Sequence, residues 1–514
     1  MSFEASPGSE KSLVFANIRR MVAGSRWGAF TPPTLLAVLV LVTRWPFRTT
    51  YLFNWDAANF ALGMRSFDVT QHQPHPPGYP YYVGLGALLN GITGDANTAL
   101  VAESVLLEAL AVVAIYLLGK ALFSSWAGAA AALLLAGSVT FWSYGELALA
   151  YPALAAFSTL FALCAYKTIL QRKDWLLPAA AVYAAGSGFR PDLALFLLPL
   201  LLVVCKGQPP AKIALALAVG FGGVLAWLAP VALLSGGFQE YVAVMAAYAG
   251  TDVLERYAPT ARGLAGLMVN VRDTTQYLVY ALYAEAAVVL GGVVVLARGR
   301  TPRAEIPKYL FLLGWMAPMV AFYVFVHIGD PGYVFSFLPA LLLLAVGGWR
   351  EFVRPSPVSS QGDALGTSRR KLALAGLAAV LLANGLIFFF HQRPLTLPGL
   401  RANDAAVGAK LDYIHTYRPG EVLLVSYDSF KHFRYYLPEY AYSVWLDTST
   451  AKRQVFPIPA GVKWAVLTDP SVLKLMAESE AKAEYPPEGT PAAKLPVREG
   501  QSLVYEEGRL KVLP

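Results

Sequence analysis

The chain has 514 residues, of which 56% are hydrophobic and only 14% are charged, and its formal net charge is +8. Soluble globular proteins carry about 25% charged residues, and this chain also holds many apolar runs of about 20 residues. The composition therefore excludes an ordinary soluble protein and indicates a polytopic membrane protein. Cys164 and Cys205 both fall inside apolar runs, so no disulfide framework is expected.

Eleven apolar segments are predicted to cross the membrane as α-helices. In chain order they are residues 28–48, 97–118, 127–145, 150–167, 175–189, 191–205, 212–234, 275–297, 309–327, 332–349 and 372–390. Residues 1–27 form a polar tail without a cleavage site of the A-x-A type, so the first span is expected to be retained. The predicted transmembrane domain covers residues 28–391.

Lysine and arginine alternate sharply between successive connections. One set of connections contains 19 of these residues and the other contains 7. The positive-inside rule places the richer set in the cytoplasm, as in a bacterial-type inner or plasma membrane. Loops 49–96 and 235–274 and the tail after His391 are then external. The apolar stretch Tyr79–Ile92 is short for a crossing and would invert every later loop, so it is expected to be an interfacial or re-entrant helix.

The tail, residues 395–514, is predicted to form an extracytoplasmic α/β domain. Asp404–Thr416 has a helical pattern, and Glu421–Tyr427 and Val462–Thr468 have strand patterns. Ser502–Leu513 is typical of a hairpin that turns at Glu507 and the following glycine. The domain could be a packing lid over the helices, or it could recognise an acceptor substrate.

The segment Asn54–Tyr82 is polar and rich in proline, and it directly follows the first span. Asp56 falls near the membrane boundary, where a carboxylate is costly unless it is used. Asp56–Phe67 is expected to be an amphipathic helix at the outer interface. Asp56, Asn59 and Gly63 share one face of this helix, and the glycine permits close approach.

The prolines that follow predict a stiff, extended path, because each fixes φ and excludes helix. His72, His75 and Tyr79 lie among prolines 74, 76, 77 and 80. The segment could be a simple connector between two interfacial helices, or it could hold polar groups for chemistry. The two histidines could bind a divalent metal, but a third and a fourth ligand are missing from the pattern.

Asp56 after the first span, an interfacial helix and the run HPPGYPYY at residues 75–82 resemble the GT-C glycosyltransferases. The closest likeness is to the polyprenyl-phosphate-sugar enzymes of the protein O-mannosyltransferase and aminoarabinose-transferase group. The resemblance implies an α-helical membrane fold of this type and a lipid-linked sugar as donor. It also implies that Asp56 is the catalytic carboxylate of the first external loop.

The chain departs from the pattern of this group in its charged residues. Ala57 follows Asp56 where many members have a second acidic residue, and His75 stands where several have a basic residue beside the prolines. An arginine near the start of the next span is absent, and Glu103 is the nearest charged residue there. Recognition of the donor phosphate must then come from elsewhere in the chain.

Further polar residues lie at the predicted outer ends of spans, where they could face one cavity as substrate-binding groups. They are Tyr144, Glu146 and Tyr151; Arg190 and Asp192; His327, Asp330 and Tyr333; and Arg256, Arg262 and Arg272 in the loop 235–274. Simpler roles are open for each group. Arg190 and Asp192 could be a local ion pair that closes a turn, His327 could be an interfacial histidine, and the loop arginines could be solvated.

The sequence therefore predicts transfer of a sugar from a polyprenyl-phosphate donor to an acceptor at the outer face, with inversion at the anomeric carbon. Asp56 would act as the general base, while Arg190 and one loop arginine, helped by His75, would stabilise the leaving phosphate. The expected partners are the bilayer, the lipid-linked sugar and a glycan, lipid or protein acceptor. No nucleic acid and no definite cofactor are expected. The alternatives are a transporter or flippase of lipid-linked sugars and a non-catalytic envelope assembly protein.

Overall fold

A computed structural model describes residues 26–255, 258–298, 301–354, 362–450, 452–477 and 492–514. Most of the predicted tail 1–27 lies outside these residues, as does Arg256.

Helices build the chain up to residue 390, within the described residues. They are α1 (Arg26–Arg44), α2 (Trp55–Arg65), α3 (Pro80–Thr93), α4 (Ala96–Leu122), α5 (Ser125–Gly137), α6 (Val139–Gly145), α7 (Pro152–Ile169), α8 (Leu176–Phe189), α9 (Asp192–Cys205), α10 (Pro210–Leu234), α11 (Phe238–Ala247), α12 (Pro259–Leu282), α13 (Glu285–Ala297), α14 (Ile306–Phe325), α15 (Leu338–Val353) and α16 (Gly362–Phe390). Short 3₁₀ helices occupy Trp45–Phe47, Val69–Gln71, Arg303–Glu305 and Pro331–Ser336, and Tyr248–Glu255 is a π-helix.

Five helices in the described residues are long and apolar enough to cross a membrane, or up to seven spans if each of two bent pairs is counted as one. The five are α4, α7, α10, α14 with its preceding turn, and α16; the pairs are α5 with α6, bent by 69°, and α12 with α13, bent by 107°. Helices α8 and α9 have 14 residues each, which gives about 21 Å of helix against a hydrocarbon core of about 30 Å. The predicted count of eleven spans therefore stays a prediction.

Two expectations about helical segments are wrong. The span 275–297 is not one helix, because the chain breaks at Tyr283, whose φ is 42°, between α12 and α13. The segment 235–274, expected to be an external loop, contains α11, the π-helix and the first part of α12. Its apolar residues are spaced at helical intervals but are interrupted by glycines and charges, so the segment did not have the composition of a span.

Helix α4 is the centre of the helical domain and packs against α1, α3, α5 and α7. Its contact with α5 is so close that a Cβ on Gly128 would lie 2.4 Å from the carbonyl oxygen of Tyr116. Only glycine fits there. The contact with α1 includes a buried ion pair, in which Arg44 Nε donates to Glu108 Oε2 at 2.9 Å.

The C-terminal domain contains α17 (Leu397–His415), α18 (Phe430–Tyr436), α19 (Pro470–Ala477) and seven strands. The strands are β1 (Val422–Ser426), β2 (Ser443–Trp445), β3 (Gln454–Pro457), β4 (Trp464–Thr468), β5 (Ala492–Pro496), β6 (Ser502–Glu506) and β7 (Arg509–Leu513). One sheet has the order β2-β1-β4-β5, with β1 parallel to β2 and to β4, and the other has the order β3-β6-β7.

The predicted elements of this domain are confirmed. The segments expected to be a helix and two strands are α17, β1 and β4. The hairpin is β6–β7, and Glu507 and Gly508 have φ of 50° and 75°, as a two-residue type I′ turn requires. The position of the domain outside the membrane stays a prediction.

The C-terminal domain is attached to the chain just before α2. The carboxylate of Asp404 on α17 accepts the backbone N–H groups of Thr50 at 2.9 Å and Tyr51 at 3.1 Å. The hydroxyl of Tyr436 accepts the N–H of Leu52 at 2.9 Å. Since these backbone groups have no partner in a helix or sheet, the domain supplies the hydrogen bonds that fix the segment leading into α2.

The substitution Asp404→Ala tests this attachment. It removes the acceptor of two backbone N–H groups, and we expect a loss of about 2–4 kcal/mol of stability. Thermal unfolding of the purified protein in detergent measures the effect. Asp412→Ala is the matched control, because Asp412 is exposed on the same helix; equal melting temperatures for the two variants would contradict the interpretation.

Candidate active site

Asp56 lies in the first turn of α2, close to the N-terminus of that helix. The side chain of Asn54 caps the helix by accepting the N–H of Ala57 at 3.0 Å. The helix dipole stabilises a carboxylate at this position. The side chain of Asp56 is 33% exposed, so a substrate can reach it.

Helix α2 is not amphipathic as expected, because residues Ala57–Gly63 are all buried. The C-terminal domain packs α18 on one side of the helix, and the proline-rich segment packs on another. The close approach expected at Gly63 is present, since a Cβ there would lie 2.9 Å from Pro74 Cδ. Asp68 caps the next 3₁₀ helix by accepting the N–H of Thr70.

The proline-rich segment brings His75 to Asp56. Nδ1 of His75 lies 3.5 Å from Oδ1 of Asp56, and the His75 side chain is 12% exposed. Burial lowers the pKa of His75 below its usual value, and Asp56 only partly opposes this effect. His75 is therefore neutral near pH 7 and leaves the carboxylate of Asp56 free of a formal ion pair.

Arg190 is buried, 2% exposed, at the turn between α8 and α9. It forms a two-point ion pair with Asp192, at 3.2 Å from Nε and 2.8 Å from Nη2. Its guanidinium also faces three tyrosine rings, with 5.2 Å to Tyr79, 4.5 Å to Tyr151 and 5.2 Å to Tyr333. The ion pair between Arg190 and Asp192, which the sequence analysis gave as one alternative, is thus present. Three tyrosine rings surround the guanidinium as an aromatic cage.

Asp330 is a second carboxylate of this site. It accepts the hydroxyl of Tyr144 and the N–H of Gly332, the latter at 2.8 Å. Burial raises the pKa of Asp330 to about 6, against the effect of these two donors. Asp56 and Arg190 lie close enough to shift this pKa in opposite directions, so the two carboxylates and the arginine share one electrostatic environment.

Lys431 on α18 is a cation of the site that the sequence did not reveal. Its ammonium donates to the carbonyl of Gln71 at 2.9 Å and lies 5.6 Å from the ring of Trp55. Burial lowers the pKa of Lys431 to about 8, so it stays mostly protonated at pH 7. One sequence signal pointed to Lys431, namely the alternation of basic and aromatic residues over 430–436. It was missed because the basic and acidic residues of the whole tail are nearly equal in number.

Asn59 and His72 have structural partners, and a direct contact of Asn59 with substrate stays a prediction. The Asn59 amide donates to the carbonyl of His72 and accepts the indole N–H of Trp55, both at 2.8 Å, and the side chain is fully buried. His72, with φ of 54°, ends the 3₁₀ helix that starts the proline-rich segment. Asn59 thus fixes that segment against α2.

Glu146 does not join the cluster around Asp56. It is fully buried, it accepts the indole N–H of Trp142 at 3.0 Å, and Arg44 packs over that indole at 4.4 Å. The sequence placed Glu146 at the correct end of its helix, but the bend between α5 and α6 turns it toward Arg44 and Glu108.

The role expected of the arginines of the segment 235–274 stays a prediction, and Arg256 lies outside the described residues. Arg262 and Arg272 are exposed on α12, and Arg272 pairs with Asp273 at 2.7 Å. His327 lies near Tyr333, with ring centroids 6.2 Å apart. Among the described residues, no group of three or more histidine, cysteine, aspartate or glutamate side chains could hold a metal ion.

Residues 74–234 match the sequence model of the family described as dolichyl-phosphate-mannose-protein mannosyltransferase. No curated protein sequence matches the chain. Among solved structures, the chain is similar to ArnT from Cupriavidus metallidurans bound to undecaprenyl phosphate, with a TM-score of 0.58 and 12% identity over 92% of this chain and 98% of ArnT. The apo form of ArnT gives a TM-score of 0.55 at the same identity, over 91% and 98% of the two chains. An oligosaccharyltransferase from Archaeoglobus fulgidus gives 0.46 at 13% identity, over 93% of this chain and 76% of that one.

At this identity the likeness to ArnT shows a shared fold. The fold and the family match together bear out the resemblance to GT-C glycosyltransferases that the sequence indicated.

The substitution Asp330→Asn tests the electrostatics of the site. The folded pKa of Asp330, about 6, lies above the usual 3.8, so the folded state loses up to about 3 kcal/mol of stability as the pH rises from about 3.8 through about 6. Asparagine cannot ionise. We therefore expect the variant to gain in melting temperature relative to the parent protein as the pH rises from about 4.5 to about 8. A difference that does not change with pH would contradict the raised pKa.

Proposed function

We propose that the chain transfers a sugar from a polyprenyl-phosphate-linked donor to an acceptor hydroxyl at the extracytoplasmic face. The observation that carries this proposal is a partly exposed carboxylate, Asp56, beside a buried cationic and aromatic cluster in a chain with the GT-C fold. The ArnT structure contains undecaprenyl phosphate, which supports a polyprenyl phosphate as the lipid carrier here.

Asp56 is the general base in this proposal. The acceptor oxygen attacks the anomeric carbon, its proton passes to the Asp56 carboxylate, and the bond between that carbon and the phosphate oxygen breaks. The products are the glycosylated acceptor and the polyprenyl phosphate. A single displacement of this kind inverts the anomeric configuration. Neutral His75 lies beside the carboxylate, with 3.5 Å between Nδ1 and Oδ1, and places no formal positive charge there.

The leaving lipid phosphate needs a cation rather than a strong acid, because it departs as an anion. Arg190 is already paired with Asp192 and enclosed by tyrosines, so it contributes a fixed positive field. Lys431 has its ammonium on a backbone carbonyl and no carboxylate partner among the described residues. We therefore propose Lys431, in place of the arginines of 235–274, as the group that contacts the phosphate.

The substitution Asp56→Asn tests the role of the base. It keeps the shape of the side chain and removes its basicity, so we expect the transfer rate to fall by about 10²–10⁴-fold. The assay follows a radiolabelled sugar from polyprenyl phosphate to a cell-envelope acceptor fraction. Asp68→Asn, a second carboxylate of the same segment, is the control. Full activity of Asp56→Asn would refute the role of Asp56, and a wild-type protein that moves the lipid-linked sugar across the membrane without cleaving it would favour the flippase.

The substitution Lys431→Met tests the proposed phosphate contact. Methionine keeps the length and the packing of the side chain but removes the charge, and we expect kcat/KM for the lipid donor to fall by about 10²-fold. Arg434→Met is the matched control, because Arg434 is exposed on the same helix. Equal donor kinetics in the two variants would contradict a role for Lys431 in phosphate binding.

A further inference from the structure

An aromatic surface extends from Asp56 onto the C-terminal domain. Trp55, the residue before Asp56, lies 6.0 Å from Trp445, measured between ring centroids. Trp445 in turn stacks on Tyr427 at 6.2 Å, with 16° between the ring planes. Trp55 also stacks on Phe430 at 6.1 Å. These four rings form a continuous surface, here called the aromatic platform.

The exposure of Trp445 is unusual for its domain. Its side chain is 44% exposed, and Val455 and Leu513 are the other large hydrophobic side chains exposed in the described part of this domain. Exposed apolar side chains of the transmembrane helices are explained by lipid, but those of the C-terminal domain are not. Trp445 is exposed to solvent and contacts Trp55, the residue before Asp56. An exposed tryptophan at this place indicates a ligand that covers it.

The fold holds the platform rigid. Trp445 is paired in register with Ser426 at the end of β1, which places its ring next to Tyr427. The buried carboxylate of Asp469 accepts the N–H groups of Tyr427 at 3.0 Å and Ser429 at 2.9 Å. Trp55 is held at its indole N–H by Asn59. Such pre-organisation lowers the entropic cost of binding a ligand on these rings.

The chemistry of the platform fits a sugar ring. One face of a pyranose presents C–H groups that leave water when they pack on an aromatic face, while its hydroxyls stay at the rim for hydrogen bonds. Asp428, which follows Tyr427, offers an exposed carboxylate for such hydroxyls. A lipid chain would need a deeper apolar groove.

We propose that the aromatic platform binds a pyranose ring of a glycan acceptor and directs one of its hydroxyls toward Asp56. This inference rests on the proposed glycosyl transfer and names its acceptor class. It also gives the C-terminal domain the second of its two predicted roles, recognition of the acceptor.

The test uses the full-length variants Trp445→Ala and Tyr427→Ala. We expect KM for a glycan-bearing envelope fraction to rise by tenfold or more, with kcat within about twofold of wild type and the Kd for polyprenyl phosphate unchanged. Trp445→Phe keeps an aromatic face and should restore most of the affinity. Val455→Ala is the control, because Val455 is 48% exposed on the other sheet of the domain.

The chemistry of the acceptor is tested on the same fraction. Periodate, which opens sugar rings at vicinal diols, should abolish acceptance, and protease should not. The reverse result would overturn the proposal, as would an unchanged KM in Trp445→Ala.

A binding experiment separates this proposal from the proposed function. Isothermal titration with soluble mannose, glucose and galactose oligosaccharides measures binding without turnover. If the wild-type protein binds one of them in a Trp445-dependent way but transfers no sugar, the proposed function fails and the platform stands. If it transfers sugar with no dependence on Trp445, the platform fails and the function stands.

Discussion

The buried guanidinium of Arg190 is the constraint on which the arrangement of the site depends. A charge that is 2% exposed is tolerated only when it is fully partnered. Here Asp192 supplies the counter-charge, and rings from the start of α3, the start of α7 and the 3₁₀ helix Pro331–Ser336 supply the rest. Because those elements must converge on one cation, the segment that carries His75 is brought to a fixed place beside Asp56.

Local patterns in the sequence predicted the parts of the protein that depend on local interactions. The hairpin at Glu507 follows from turn chemistry, the strand β1 from a short apolar run, and the helix that starts near Asp56 from the scarcity of helix-breaking residues. The family resemblance rested on residues 54–82, and the fold extends it over nearly the whole chain. The role of Asp56 itself stays a proposal.

Long-range partners could not be predicted, because nothing in a single sequence records which distant side chains meet. Tyr144 and Asp330 are separated by 186 positions. Glu146 lies near Arg44 and Glu108, after a bend between α5 and α6 that the apolar composition does not indicate. Lys431 was missed for the same reason, since its partner Gln71 is 360 positions away. Besides Arg190, a second cation was expected from the arginines of 235–274, whereas the structure brings Lys431 from the C-terminal domain.

The attachment of the C-terminal domain also determines when, during translation, the site can be completed. The backbone N–H groups of Thr50 and Tyr51 donate to Asp404, which is translated 354 and 353 residues after them. Lys431 is translated after Asp404. A nascent chain can insert its helices and still have an unfinished site. The cluster around Asp56 is therefore complete only after the last domain has folded and docked.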